Sequence, residues 1–249
     1  MDTMKTSDIF SRDWIYPVSI LLITLALFIL HFIFGSETFF KKRFLRSGKR
    51  EERRRFQSMA VHYKRVSAFF LFGAVPVMLI KLLYRDTLGK YGLLRGNGRI
   101  TPAIIIPVLI ATGFTLIFFS KKPKVFSRYP EIERAMESRS AFAASTVTYV
   151  LYFLGYESLY RGFLFFGLRG YIGNWGAVFV SMFFTVLGHL RTQKLVIMGS
   201  VATGLLFPYL VCLAGSIWPV FILHCVIGVF MDFFCIRSRR RLPVQSEAG

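Results

Sequence analysis

Four ionisable side chains lie in stretches of the chain that are otherwise apolar enough to cross a bilayer. Glu157 and Arg161 are four residues apart in GYESLYRGFLFFGLRG, and His189 and His224 lie in later apolar stretches. Carboxylates and imidazoles can accept a proton from water and so activate it. A charged side chain costs roughly 2.5–3.5 kcal/mol at the centre of a membrane helix, so such residues usually face the protein interior and mark a functional site. We therefore expect these side chains to line a polar pocket within the membrane.

The composition indicates an integral membrane protein. Hydrophobic residues make up 54% of the 249 residues, and the mean hydropathy is +0.52, well above the balance of a soluble domain. The formal net charge is +19, but the basic residues lie between apolar stretches, where they set orientation and attract anionic lipid head groups. Membrane lipids are therefore expected partners, and nucleic acid is not.

Apolar stretches long enough to span the hydrocarbon, which takes about 20 residues in a helix, occur about seven times. They run approximately over residues 14–35, 66–84, 102–120, 141–168, 175–190, 196–214 and 216–235. The sequence predicts an all-α, polytopic integral membrane protein with about seven transmembrane helices. We divide it into N-terminal transmembrane helices with a basic cytoplasmic loop (residues 1–140), core helices (141–236) and a basic cytoplasmic tail (237–249).

The distribution of basic residues predicts the orientation of these helices. If the N-terminus is outside, 23 Lys and Arg residues fall in inner segments and seven in outer segments. Because cytoplasmic loops carry the excess of positive charge, we expect the N-terminus outside and the C-terminus in the cytoplasm. The predicted location is the cell membrane if the source is prokaryotic.

Other polar residues in the apolar stretches have simpler interpretations. His31 is expected to be a packed or snorkelling residue, and His62 a surface residue. Asp232 is close to Arg237 in the sequence, so we expect it to pair there or to snorkel towards the inner surface.

Three motifs together resemble the CPBP family, the CAAX-processing and bacteriocin-processing (Abi) intramembrane endopeptidases that include CAAX prenyl protease 2. YESLYRGFLFF is similar to the EExxxR motif, whose typical form reads EELLFRGFL. FFTVLGHL is similar to the FxxxH motif, and SIWPVFILHCVIG is similar to the SLWPAILLHxxxN segment. Their order and spacing agree with the family, and the resemblance covers roughly residues 141–234.

The resemblance implies a multi-helix membrane fold and hydrolysis of a peptide bond in a membrane-associated peptide or protein, such as a prenylated CAAX protein. In the family's proposed mechanism, the first motif glutamate and the first histidine activate water, while the second histidine and an asparagine stabilise the oxyanion. By position, Glu157 matches the second glutamate, Arg161 the arginine, His189 the first histidine and His224 the second. We expect no metal or other cofactor.

Three positions depart from the family pattern. Tyr156 replaces the first glutamate, Thr185 replaces the phenylalanine of FxxxH, and Gly228 replaces the asparagine. A tyrosine with its ordinary pKa of about 10 is protonated at neutral pH, so it can donate a hydrogen bond but cannot simply act as a carboxylate base. Gly228 lacks the side-chain donor, and loss of one oxyanion donor typically lowers the rate about 10²- to 10³-fold.

The leading expectation for the remaining residues is a shared role in hydrolysis. Glu157, paired with Arg161, and His189 are expected to position or activate water. His224, with the Tyr156 hydroxyl, is expected to face the carbonyl oxygen of the substrate.

These departures leave alternatives open. A catalytically inactive relative would keep the pocket as a membrane binding or scaffold protein. In a purely structural interpretation, Glu157 and Arg161 form an internal ion pair that only holds helices together. Two histidines and a glutamate can also form a catalytic zinc site, although the chain lacks HExxH spacing and Arg161 would oppose a cation. A transporter is a further class, but no repeated halves are present.

Overall fold

The structure, a computed structural model, describes residues 12–44, 50–96, 100–119, 129–190, 192 and 194–239. These residues form helices and turns, with no β-strand among them, which confirms the all-α prediction. In chain order the α-helices are α1 (Arg12–Phe34), α2 (Glu37–Phe44), α3 (Arg50–Ala68), α4 (Val75–Leu82), α5 (Ile100–Phe119), α6 (Arg139–Glu157), α7 (Gly167–Leu187), α8 (Lys194–Ala214) and α9 (Trp218–Arg239). Two π-helical segments, Phe69–Ala74 and Ser158–Phe166, join α3 to α4 and α6 to α7.

The described part of the chain has five helices that are long and apolar enough to cross a membrane, so the predicted count of seven is not confirmed. They are Trp14–Phe44, Glu51–Leu82, Arg139–Leu187, Val196–Ala214 and Trp218–Arg239. Arg139–Leu187 is 49 residues long and covers the predicted span 141–168 and most of the predicted span 175–190. Its backbone leaves the helical conformation at Gly173 (φ 72°, ψ 169°), a positive φ that glycine adopts without a steric cost. Most of the predicted basic tail, from residue 240 onward, lies outside the described residues.

A close crossing of two helical stretches positions the start of the polar pocket. A Cβ atom on Gly155 of α6 would lie 2.8 Å from the main-chain oxygen of Ala68, and one on Gly73 would lie 3.3 Å from the Gly155 Cα. Small residues allow such close approach between membrane helices. The crossing places the end of α6, with Tyr156 and Glu157, against the stretch that joins α3 to α4.

The π-helical segment Ser158–Phe166 carries Arg161 and is buried along its whole length. Its main-chain bonds join residues five apart rather than four, and such turns often occur at functional sites. Ser181 of α7 donates a hydrogen bond to the Tyr160 main-chain oxygen at 3.1 Å. This contact satisfies an acceptor within the widened turn and joins it to α7.

The loop before α5 holds the beginning of α9. The Ile217 main-chain N–H donates to the Gly92 oxygen at 2.9 Å, and Trp218 Nε1 donates to the Leu93 oxygen at 3.2 Å. The indole of this tryptophan therefore anchors the N-terminal end of the helix that carries His224.

Candidate active site

Glu157 is fully buried and contacts a charged or ionisable partner with each carboxylate oxygen. Its Oε1 lies 2.6 Å from His224 Nδ1, and its Oε2 lies 3.4 Å from Arg161 Nε. Because an ionised carboxylate can only accept hydrogen bonds, the Nδ1–H of His224 is the donor. The lone pair of the neutral imidazole is then on Nε2, where it can accept a proton.

Arg161 is also fully buried, and it supplies the charge opposite to that of Glu157. Its guanidinium carbon lies 5.4 Å from the centre of the Tyr156 ring and 5.7 Å from that of Phe207. A buried carboxylate without such a partner would be strongly destabilising. Arg161 therefore neutralises Glu157 within an apolar, aromatic surrounding.

The two histidines predicted from the motifs, His189 and His224, line one cavity of about 570 Å³. Tyr156 and Gly228 line the same cavity, whereas the enclosed Glu157 contacts its wall through His224. The side chain of His224 is 22% exposed. Helices α6, α7 and α9 thus bring the candidate residues together around a shared space.

His189 follows the end of α7, and its orientation is set by a local hydrogen bond. Its Nδ1 lies 2.8 Å from the Thr185 main-chain oxygen. A carbonyl oxygen only accepts, so Nδ1 carries the proton and the lone pair of the neutral ring is on Nε2. Thr185 is buried and donates its own hydroxyl to the Ser181 main-chain oxygen at 2.8 Å. Thr185 thus contributes to the site through its main chain.

Tyr156, at the position of the first motif glutamate, packs against His224. The two ring centres are 5.5 Å apart and the rings are perpendicular. Its hydroxyl is directed towards Arg161 and Thr185, without the geometry of a standard hydrogen bond. A buried O–H group in this state can donate to a ligand that enters the cavity.

Gly228 lies one turn after His224 on α9, where the family pattern has an asparagine. The space that its side chain would occupy is filled by two rings of α6. A Cβ atom there would lie 2.6 Å from a ring carbon of Phe153 and 2.9 Å from one of Tyr149. Gly228 is therefore a close-packing position and offers no side-chain donor.

An ion cluster that the sequence analysis did not identify lines the same cavity through Lys64, Arg65 and Glu131. Lys64 bonds to Glu37 and to Glu131, while the fully buried Arg65 donates to Glu131 at 2.8 Å. Burial alone would raise the pKa of Glu131, but the two cations outweigh it and lower that pKa to about 2. In the sequence, Lys64 and Arg65 stand just before the apolar stretch 66–84, but this pattern did not indicate that Arg65 is buried.

Two further polar residues predicted from the sequence lie near the cavity, and one of them differs from its expected role. Asp232 is buried rather than paired with Arg237 at the surface, and it lies near Arg65 and Glu131. His31, expected to be a packed or snorkelling residue, packs against Phe72 and also lines the cavity. Its Nδ1 is buried with no hydrogen-bond partner among the described residues. Both are separated from their neighbours by long stretches of sequence, so local patterns could not place them.

A three-ligand zinc site does not fit this donor set. Among the described residues, no group of three or more His, Cys, Asp or Glu side chains is placed to hold a metal ion. Glu157 and His224 supply two donors, and Arg161 lies against the same carboxylate. A catalytic zinc usually has three protein ligands. That the protein needs no cofactor stays a prediction.

Comparison with known proteins identifies the region that contains these residues. Residues 138–230 match a family model described as type II CAAX prenyl endopeptidase Rce1-like, a family of intramembrane proteases. No curated protein and no solved structure matches the chain. The matched region contains the Glu157–His224 pair, Arg161 and His189. This match confirms the resemblance predicted from the motifs: residues 138–230 are similar to the Rce1-like endopeptidases.

Proposed function

We propose that this protein is a membrane-embedded endopeptidase that hydrolyses a peptide bond of a membrane-associated substrate, such as a prenylated CAAX peptide. The observation that carries the proposal is the 2.6 Å contact between Glu157 and a histidine that lines a cavity in the Rce1-like region. A histidine oriented by a carboxylate is a recurrent proton acceptor in hydrolases. The motifs alone assigned water activation to Glu157 and His189, and the geometry favours His224 as the proton acceptor.

The reaction needs one proton acceptor and one proton donor, and His224 can serve as both. Its Nε2 takes a proton from water while the water oxygen bonds to the carbonyl carbon of the substrate. Glu157 stabilises the imidazolium that forms. The imidazolium then gives the proton to the leaving nitrogen as the carbon–nitrogen bond breaks, and the products are a carboxylic acid and an amine.

The other candidate residues have supporting roles in this mechanism. His189 orients the attacking water through its Nε2 lone pair. The Tyr156 hydroxyl donates to the developing oxyanion in place of the side chain that Gly228 lacks. Arg161 holds Glu157 in position and neutralises its charge during the cycle.

A turnover assay on variants of the pair tests this proposal. In proteoliposomes, the purified protein should cleave a fluorescence-quenched, prenylated peptide. His224→Gln keeps the Glu157–Arg161 pair and should lower kcat about 10²- to 10⁴-fold, the usual contribution of general acid–base catalysis. Glu157→Gln should lower kcat similarly, although it also leaves Arg161 unpaired, which typically costs about 3–5 kcal/mol of stability.

Controls separate lost chemistry from lost folding. His62→Gln changes a histidine that lies outside the cavity and bonds to Thr148, so turnover should stay at the wild-type level. The double variant His224→Gln/Glu157→Gln should be no slower than the worse single variant, because the two residues act as one unit. Turnover that survives His224→Gln in folded protein would contradict the proposal.

A second candidate function is ligand binding without turnover, and the packing at Gly228 favours it. Phe153 and Tyr149 fill the space of a family oxyanion donor, and Tyr156 stands where a carboxylate base is expected. Such a protein would retain a prenylated peptide in the cavity and release it intact. Binding measured by fluorescence anisotropy, with no cleavage product by mass spectrometry after long incubation, would establish this function instead.

A further inference from the structure

A continuous stack of planar groups leads from the ion cluster to His224. The guanidinium carbon of Arg65 lies 3.8 Å from the centre of the Tyr149 ring. The Tyr149 and Phe153 ring centres are 4.6 Å apart at an interplanar angle of 23°, and those of Phe153 and His224 are 4.1 Å apart at 24°. The stack thus joins α3, α6 and α9, and its last member is the imidazole that contacts Glu157.

Each end of the stack is held by hydrogen bonds. Arg65 donates from Nη1 to the Ser145 main-chain oxygen and from Nη2 to Glu131, at 2.9 and 2.8 Å. At the other end, His224 Nδ1 donates to Glu157. Tyr149 and Phe153 are four residues apart on α6 and therefore share one face of that helix. The rings between the two ends have little freedom to move independently.

Gly228 makes this arrangement sterically possible. Any side chain there would begin 2.6 Å from the Phe153 ring and 2.9 Å from the Tyr149 ring. Aromatic rings cannot bend away from such a contact, so they would have to move as units. The loss of a side chain at Gly228 and the stacking of Phe153 on His224 are therefore two parts of one feature.

We propose that Phe153 is a positioning residue for His224: its ring face fixes the plane of the imidazole, while Glu157 fixes which nitrogen carries the proton. Its effect on turnover rests on the proposed function, whereas its effect on ring position does not. When His224 becomes an imidazolium, the negative face of the Phe153 ring also attracts the cation, as other aromatic faces do.

The position of the imidazole is tested by NMR of protein with isotope-labelled histidine rings, which is practical because the chain has four histidines. His224→Gln assigns the His224 ring proton signal. That signal should be shifted upfield in the wild type by the stacked Phe153 ring, and Phe153→Leu should remove this shift. Phe142→Leu, about three turns earlier on α6, should leave the signal unchanged. An unchanged His224 signal in Phe153→Leu would overturn the inference whether or not the protein has activity.

Kinetics test the consequence for turnover. Phe153→Leu should lower kcat about tenfold and leave KM within about twofold, because misplacing a catalytic group by about 1 Å costs up to about 10²-fold. Gly228→Ala should cause a similar loss of kcat, because the added methyl group would displace the Phe153 ring although Phe153 itself is unchanged. The double variant should be no slower than the worse single variant, since both changes break the same contact.

The outcomes separate the inference from the proposed function. A role in turnover would be overturned by losses that multiply in the double variant, or by an unchanged kcat in folded Phe153→Leu. The loss of a contact that serves only core packing lowers thermal stability but does not change the kcat of the folded fraction. If the wild type shows no turnover, the endopeptidase proposal fails. The NMR shifts then decide alone whether Phe153 positions the His224 ring.

Discussion

A buried carboxylate in a membrane needs partners, and Glu157 has one on each oxygen. His224 contacts one oxygen at 2.6 Å and Arg161 lies 3.4 Å from the other. A purely structural ion pair between Glu157 and Arg161 would not need a histidine that lines a cavity, so Arg161 alone does not explain the contact with His224. The same carboxylate is thus neutralised on one side and available to orient an imidazole on the other.

At the residue scale, the hydroxyl of Tyr156 provides a sharp prediction. Tyr156→Phe should lower kcat about 10²-fold if the hydroxyl donates to the oxyanion, since one such donor contributes about 10²- to 10³-fold. The unfolding temperature should not fall, because the hydroxyl makes no standard hydrogen bond in the structure. Turnover in proteoliposomes and thermal unfolding in detergent measure the two effects.

The control for this change is Tyr209→Phe on α8, a residue that is 46% exposed and does not line the cavity. It should match the wild type in both measurements. Full turnover in Tyr156→Phe would contradict this role and would mean that another group donates a hydrogen bond to the oxyanion.

At the element scale, the close crossing at Gly155 decides where the site begins. A Cβ atom there meets main-chain atoms of the neighbouring stretch at 2.8 Å, and main-chain atoms cannot move aside as a flexible side chain can. The π-helical segment that follows carries Arg161, whose Nε lies 3.4 Å from Glu157 Oε2.

Gly155→Ala tests the importance of this crossing. Overpacking of this kind should lower the free energy of unfolding by about 1–3 kcal/mol. Gly170→Ala on α7 is the matched control, because a Cβ atom there meets nothing within 4 Å. Alanine should be neutral or raise the free energy of unfolding by up to about 1 kcal/mol in that helix. Unfolding by detergent titration measures both, and equal effects would show that the contact is unimportant.

At the scale of the whole molecule, the orientation in the membrane is still a prediction from charge. With the N-terminus outside, the loop before α5 is external and the α2 region is cytoplasmic. The ion cluster of Lys64, Arg65, Glu37 and Glu131 then lies towards the cytoplasm.

Cysteine labelling tests the orientation. In a background with Cys212, Cys225 and Cys235 changed to alanine, Arg95→Cys should react with an impermeant maleimide in intact cells. Arg43→Cys should react only after the membrane is permeabilised. Both positions are exposed in the structure, so burial does not explain a difference. The reverse pattern would place the N-terminus in the cytoplasm and would contradict the prediction.

The sequence by itself determined the membrane class and the all-α fold, and it indicated which residues are candidates for chemistry. Apolar length and a few ionisable groups within it are local properties, and motif spacing identified Glu157, Arg161, His189 and His224. Helical periodicity also predicted that Glu157 and Arg161 lie within reach of each other. These features need no knowledge of which helix packs against which.

Only the tertiary structure decided how these residues combine. Three features depend on residues far apart in the chain. They are the Glu157–His224 contact, the burial of Arg65 and Asp232, and the stacking of Phe153 on His224. Each depends on the rotation and depth of separate helices. A periodic pattern shows the face of a helix but not its neighbour. The sequence therefore combined Glu157 with His189, whereas the structure places His224 against Glu157.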